Sequence, residues 1–245
     1  MTLKCLGSAS SGNCYIITND NEAIIIEMGV PFKKIKEAMN FEISKIKGVC
    51  LSHEHQDHSR FIWQAIETGI NVYSSSETLN AIKLKTNHFA KPISNMKLFN
   101  ICNFNVLPFD LIHDVHCTGF IINHEETGNI VFLTDTAYST FRFANIKHWL
   151  IECNYSQDLL DKNTENGNIS DYVRKRIMRS HMSIETVKNL LNANDLSQTQ
   201  NICLLHLSNS NSDGLRFKKE IEELTGKQVF IADKGTEINL NNNPF

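Results

Sequence analysis

The octapeptide Ser52-His53-Glu54-His55-Gln56-Asp57-His58-Ser59 places three histidines and two acids within six consecutive positions, directly after the apolar run Val49-Cys50-Leu51. Side chains of that type and density hold metal ions. In an extended chain residues i and i+2 point to the same side, so His53 and His55 can reach one ion together. Asp57 and His58 come where the chain should turn into a helix. They face another direction and are available to a second ion. A nitrogen-rich donor set with a few carboxylates suits zinc, with iron or manganese as alternatives. One octapeptide carries too few ligands to close two coordination spheres. Three further candidates stand at or near the ends of short apolar runs, which is how a buried strand delivers a polar residue to a rim. They are His113 in Phe109-Asp110-Leu111-Ile112-His113, Asp135 in Ile130-Val131-Phe132-Leu133-Thr134-Asp135, and His206 in Ile202-Cys203-Leu204-Leu205-His206. With the cluster they complete a two-metal set.

The elements that must position these residues follow from hydrophobic patterning. Short apolar runs at 3–6, 14–18, 23–26 and 48–51 read as strands separated by turns such as Asn19-Asp20-Asn21. Helical spacing predicts helices over 32–39, 59–67 and 76–84, with a strand at 70–73 and a loop over 86–95. The pattern then restarts, with strands expected at 98–101, 103–107, 119–123, 130–133 and 150–152. Helices are expected around Ile169–Ile177 and Ile184–Leu191, the second capped by Ser183. A strand at 202–205, a helix around Phe217–Leu224, a strand at 229–232 and a frayed polar tail over 239–245 complete the reading. Two sheets packed face to face with helices outside fit one α/β domain over residues 1–245.

Composition bounds the function. A formal net charge of −3 on 245 residues argues against a general nucleic-acid binder and leaves room only for a local basic patch. No apolar stretch is long enough to span a bilayer, and the N-terminal Met-Thr-Leu-Lys-Cys-Leu-Gly lacks a signal peptide's apolar core. Seven cysteines, none in a C-x-x-C pair, read as reduced thiols. Cys5, Cys14, Cys50, Cys102 and Cys203 read as small core residues in strands. The expected location is the cytoplasm, or a host's cytoplasm if the gene is viral, with no membrane partner. The Asn- and Lys-rich composition is compatible with a low-GC bacterium or its phage.

The pattern His53-x-His55-x-Asp57-His58, followed by His113, Asp135 and His206, resembles the metallo-β-lactamase fold superfamily over nearly the whole chain. The resemblance implies a four-layer αβ/βα sandwich with two divalent metal ions at one edge of the sheets. It implies His53, His55 and His113 on one ion, Asp57, His58 and His206 on the other, and Asp135 bridging them. Glu27, in Ile26-Glu27-Met28-Gly29, stands where the superfamily usually has an Asp. That departure bears on how a ligand is oriented and leaves metal binding intact.

Within the superfamily, a bridging Asp135 argues against a β-lactamase, which often has Cys there, and His55 argues against the oxygen-reducing flavodiiron branch, which has Glu. Hydrolysis by two metals remains, of thioesters or of phosphodiesters. His181, in Arg179-Ser180-His181-Met182-Ser183, is a candidate proton donor to a leaving alkoxide, and Glu152 a candidate to hold its imidazole in one tautomer. Similar Glu and His segments act as a pair in the tRNase Z-like branch. Together with Gly7-Ser8-Ala9-Ser10-Ser11-Gly12-Asn13-Cys14, His113-Asp114 and His206-Leu207-Ser208-Asn209-Ser210-Asn211, they resemble the YycJ/WalJ-type hydrolases and equally the phage anti-Pycsar cyclic-nucleotide phosphodiesterases. The usual Pro and Tyr after His113-Asp114 are replaced by Val115-His116-Cys117. Two activities follow as expectations. One is hydrolysis of 3′,5′-cyclic nucleotides to 5′-monophosphates. The other is a metal-dependent nuclease on DNA or RNA. The branch also implies a homodimer. Ser11 and Asn13 are candidates to meet a phosphate, or else form a plain turn. Ser208 and Asn211 are candidates to contact substrate, or else cap the helix carrying Phe217. The basic run Arg174-Lys175-Arg176, with Arg179, reads as a solvated helix face.

Overall fold

The structure is a computed structural model and describes residues 1–242. Its strands form two seven-stranded sheets. The first is built from β1 (Thr2–Gly7), β2 (Cys14–Thr18), β3 (Ala23–Ile26), β4 (Ile46–Cys50), β5 (Val72–Ser75) and β6 (Ala90–Ile93) in that order, with β14 (Glu237–Asn239) returning to pair with β1. The second runs β7 (Phe99–Ile101), β8 (Phe104–Leu111), β9 (Cys117–His124), β10 (Gly128–Leu133), β11 (Ile146–Glu152), β12 (Asn201–Leu205) and β13 (Gln228–Ile231). Strands β10 to β13 are parallel, as are β3 to β6, so their C-terminal ends collect at one edge of each sheet.

Side-chain alternation sorts these strands into layers. Ile24 and Ile26 point between the sheets, where they meet Phe104, Phe120, Phe132 and Leu150. Ile25, Val49 and Val72 point the other way. They pack against α1 (Phe32–Ala38), α3 (Ile62–Glu67) and α4 (Ser76–Ala81) through Phe32, Ile35, Ile62, Ala65 and Leu79. In the second sheet Phe132, Leu150 and Cys203 face inward. Val131, Trp149, Ile151 and Leu204 face α7 (Ile184–Asn192) and α8 (Gly214–Thr225). Strands buried on both faces explain the unbroken apolar runs of the sequence. The result is the expected four-layer αβ/βα sandwich.

Several local expectations are corrected. The helix expected over 59–67 is split into α2 (Gln56–Ser59) and α3, because the Phe61 N–H turns away to Met28 O at 3.0 Å. Residues 90–93 form β6 although Pro92 lies among them, which an edge strand tolerates. α5 (Gln157–Glu165) was not foreseen, since Leu160 is the one residue it buries. The tail is less frayed than expected: Glu237–Asn239 pairs with β1 and Leu240 is buried. Residues 243–245 of that expectation lie outside the described residues. Cys102 is exposed in the β7–β8 turn, not in the core. No helix among the described residues is long and apolar enough to cross a membrane.

Candidate metal centre

The ligand-type side chains converge where strands end. His53 and His55 lie in the loop after β4, Asp57 and His58 in α2, and His113 just past β8. Asp135 lies two residues past β10, and His206 immediately past β12. Three groups form. His53, His55, His113 and Asp135 offer ligand atoms all within 4.8 Å of one another, as do Asp57, His58, Asp135 and His206, and beside them Asp135, Glu152, His181 and His206. Asp135 belongs to all three, and so to both groups built on the octapeptide. Its Oδ2 lies 3.7 Å from His53 Nε2 and 3.9 Å from His113 Nε2, while Oδ1 lies 3.5 Å from His58 Nε2.

These separations are those of ligands around an ion. Four ligands at tetrahedral zinc distances stand about 3.3–3.6 Å apart. His55 Nδ1 and His113 Nε2 face each other at 3.2 Å, and Asp57 Oδ2 lies 3.3 Å from both His58 Nε2 and His206 Nε2. The far nitrogens fix the tautomers. His53 Nδ1 is hydrogen-bonded to Ser52 Oγ at 2.8 Å, which leaves its buried Nε2 without a partner. His113 Nδ1 donates to Ser180 O at 3.0 Å, freeing Nε2 for the site. A buried, unpartnered imidazole nitrogen aimed at a carboxylate oxygen of the same cage fits a metal ligand.

Electrostatics separate the histidines: Asp135 and the neighbouring carboxylates raise the pKa of His58 and His206 against the effect of burial, whereas His53 moves the other way. Burial, reinforced by the neighbouring His58, pulls the His53 pKa far down, so the ring is neutral, the form that ligates. Burial alone would raise Asp135, but His206 and His58 outweigh it and hold the carboxyl well below its usual range. Asp57 is lowered likewise, by its hydrogen bonds to His206 and His58 against the effect of burial.

Three of the residues that shape the cage have left-handed backbones at strand ends: Glu27 (φ 65°), Asp135 (φ 44°) and His206 (φ 51°). Such conformations are uncommon for non-glycine residues and concentrate at sites whose surroundings enforce them. Glu27 is fully buried, takes the Ser52 N–H at 3.3 Å and sets Oε2 3.5 Å from His58 Nδ1. It stands behind a ligand, as its position suggested. Gly29 permits the closest approach of all. A Cβ there would meet Asp57 O at 1.7 Å and Asn13 N at 2.5 Å.

Beside the cage, Glu152 ends β11 with no exposed surface, and its Oε1 lies 2.6 Å from His181 Nδ1. Its Oε2 accepts the Thr136 and Met182 N–H groups at 3.0 and 3.2 Å. Burial works against a charged His181, but the Glu152 charge and hydrogen bond prevail and raise its pKa. Both residues also reach His206, with Glu152 Oε1 at 3.3 Å and the His181 ring stacked on it at 5.5 Å between centroids.

The expected substrate contacts fall elsewhere. Asn13 is buried and gives its amide to Asp57 Oδ2 at 3.2 Å and His58 Nε2 at 3.1 Å, so it orients ligands and presents no surface to a substrate. Ser11 is exposed and is not among the residues lining the cavity over the metals; Ser10 is. Ser208 Oγ accepts the Asn211 N–H at 3.2 Å, and neither residue lines that cavity. Nor does either cap α8, whose N-terminus is held by Asp213. Three supporting residues were not singled out from sequence. Asp114 Oδ1 lies 3.4 Å from His55 Nε2 and 3.1 Å from His113 Nε2. Asn154 Nδ2 donates to His206 O at 2.8 Å, and Ser8 Oγ accepts the His206 N–H at 2.9 Å. Their adjacency to His113, Glu152 and the Gly7 turn was the available signal.

The cavity above the cage holds about 280 Å³ and is roofed by α6 (Asp171–Ser180) through Val173, Arg176 and Ile177. Arg174, from the same basic run, is tied to Asp161 Oδ1 at 2.6 and 2.9 Å.

Comparison with known proteins gives a consistent picture. Residues 7–73 match the family model of the Metallo-beta-lactamase superfamily. The exodeoxyribonuclease WalJ of Streptococcus pneumoniae is 26% identical over 252 aligned positions, covering 96% of this chain and 90% of WalJ. Among solved structures, the metallo-beta-lactamase fold protein YhfI from Bacillus subtilis superposes with a TM-score of 0.73 at 17% identity, covering 97% of this chain and 98% of YhfI. The short form of human tRNase Z superposes with a TM-score of 0.63 at 13% identity, covering 98% and 99% of the two chains. Residues 7–73 thus resemble the metallo-beta-lactamase superfamily, nearly the whole chain is similar to WalJ, and the solved structures share its fold.

Proposed function

We propose that the protein is a two-metal phosphodiesterase that opens 3′,5′-cyclic nucleotides, such as cCMP, cUMP, cAMP and cGMP, to 5′-monophosphates. The observation that carries this reading is the Glu152–His181 pair, closed at 2.6 Å beside the metal cage. A thioester leaves without help, whereas the alkoxide of a phosphodiester needs a proton. The cavity of about 280 Å³ also lies just under the range for small-molecule sites, roughly 300–1,000 Å³, a size for a small ligand.

His53, His55 and His113 would hold one ion, Asp57, His58 and His206 the other, with Asp135 shared. The donor set favours zinc, with manganese as the alternative. Bound there, the ions would supply charge stabilisation at phosphorus and a water acidic enough to attack at neutral pH. The protein's own groups do the rest. As the bond from phosphorus to the water oxygen forms and the bond to O3′ breaks, His181 passes its Nε2 proton to O3′. Glu152 holds Nδ1 and keeps the imidazolium stable until that moment. The proton lost by the water goes to solvent, and His181 is reprotonated for the next turnover. As the family resemblance implies, the working form would be a homodimer. The biological setting would be a phage protein acting in its host's cytoplasm against cyclic-nucleotide signalling.

The test is to incubate the metal-loaded protein with a panel of cyclic mono- and dinucleotides and separate the products. The 5′-monophosphate is expected, and no turnover of any member would end this reading. A second reading, a nuclease on DNA or RNA, is favoured by the near full-length similarity to WalJ. It also draws on a cavity of about 420 Å³ beside the first, lined by Lys175, Arg176 and Arg179. It predicts polymer cleavage that weakens steeply with salt and with Lys175→Ala/Arg179→Ala, where the cyclic-nucleotide reading predicts no dependence on Lys175 or Arg179.

A further inference from the structure

Helix α6 is the least anchored wall of the site: of its ten residues only Ser180 is buried. Its arginines are used differently. Arg174 is committed to Asp161, and Arg179 faces the neighbouring cavity. Arg176 lines that neighbouring cavity as well, and is the one of the three that also reaches into the cavity over the metal cage. Among the described residues lining that cavity it is the one lysine or arginine, set against Asp57 and Asp135. Its present partner is loose. Nη2 lies 3.6 Å from Asp114 Oδ2, beyond a hydrogen bond, with the arginine side chain 60% exposed. Exposed ion pairs of that kind contribute little. Asp114 has a second partner in His55 Nε2 at 3.4 Å, so it can release Arg176 without losing all its partners.

A guanidinium presents a planar fork of donors that matches the oxygens of a phosphate. On the strength of the phosphodiesterase reading, we infer that Arg176 is the substrate clamp. It leaves Asp114 to grip a non-bridging oxygen of the phosphodiester, while Val173 and Ile177 on the same helix face form an apolar ceiling over the nucleoside. Because the clamp contacts an oxygen that carries charge before and after attack, it contributes mainly to binding and little to the chemical step.

The experiment is steady-state kinetics of Arg176→Ala and Arg176→Lys on 3′,5′-cCMP and on bis(4-nitrophenyl) phosphate, with metal content measured for each. For Arg176→Ala, KM should rise about tenfold or more while kcat stays within about threefold, the signature of lost uniform binding. Arg176→Lys should recover part of the loss, since a point charge replaces the fork. Metal per protomer should not change, because Arg176 touches no ligand-type atom of the cage. A KM within about twofold of the parent's, with phosphodiester turnover intact, overturns the inference and leaves the functional reading standing. A parent protein that turns over neither substrate removes both. If Arg176→Ala does not fold, Arg176→Gln, which keeps most of the stem and one donor group, carries the same comparison.

Discussion

Replacing His181 should divide substrates by their leaving groups. General-acid catalysis contributes about 10²–10⁴ in rate, or roughly 3–5 kcal/mol of barrier. His181 is placed for it: Nδ1 is held at 2.6 Å by Glu152, and Nε2 remains for the substrate. A nucleotide's 3′-alkoxide needs that proton, whereas 4-nitrophenolate leaves without one. His181→Ala should therefore lower kcat on a 3′,5′-cyclic nucleotide by about 10²–10³ and on bis(4-nitrophenyl) phosphate by less than about tenfold. Glu152→Gln should come close to the same result. Oε2 is bound to two backbone N–H groups, so the amide nitrogen of Gln has to face the imidazole. It then donates to Nδ1 and leaves a neutral ring, a far weaker acid. Charge-assisted hydrogen bonds contribute about 1.5–3 kcal/mol, which alone corresponds to roughly 10–10² in rate. Because the two residues act as one unit, Glu152→Gln/His181→Ala should be no slower than His181→Ala alone. Stopped assays on both substrates, with metal content verified because Glu152 also touches His206, decide the matter. An equal loss on both substrates, or additive losses in the double variant, would refute the acid assignment.

Asp135→Ala removes the residue common to both ligand groups, so metal bound per protomer, measured by plasma emission after dialysis, should fall at both positions; loss from one alone would contradict the shared arrangement. Gly29→Ala drives a Cβ into the Asp57 carbonyl and should destabilise the fold by about 2–4 kcal/mol and weaken metal binding, read by denaturation and metal titration. His148 lies buried in β11, with its pKa pushed down to about 4 by burial. The unfolded chain takes up the proton near pH 6.5 and the folded one near 4, so the stabilising effect is complete above 6.5 and is lost as pH falls. Between pH 7 and pH 5 the His148 contribution amounts to about 2 kcal/mol, and chemical denaturation of His148→Gln should show a correspondingly shallower decline.

The ligand-type residues were legible from the density of the octapeptide after β4 and, for Asp135 and His206, from the apolar runs before them, since a polar residue at the end of a buried strand has few places to go. Their partition was legible too: Asp57 and His58 sit in α2, turned from His53 and His55 as the change from extended to helical backbone requires. What escaped depends on tertiary placement. Asn13 read as a phosphate contact because its turn is rich in donors, yet the chain folds it under Asp57 and His58. Arg176 sat in a run that reads as a solvated face, and most of α6 is one. Only the crossing of α6 over the sheet ends brings position 176 to the cage cavity as well as to the adjoining one that 175 and 179 line. The break at Arg60–Phe61 was equally hidden, since it arises from a backbone bond to Met28 and not from any local helix breaker.

The division of the cage between the two sheets has an energetic consequence. The loop and helix after β4 supply His53, His55, Asp57 and His58, and the second sheet supplies His113, Asp135 and His206. Each group of ligand atoms therefore draws on both halves of the sandwich, and an ion bound to either ties the sheets together at this edge. The edge also carries backbone strain, with Asp135 and His206 in left-handed conformations that are disfavoured by about 1–3 kcal/mol each. Metal binding would thus be coupled to closure of the sandwich at this edge. Asp135, strained and placed between both groups, is where that coupling is strongest.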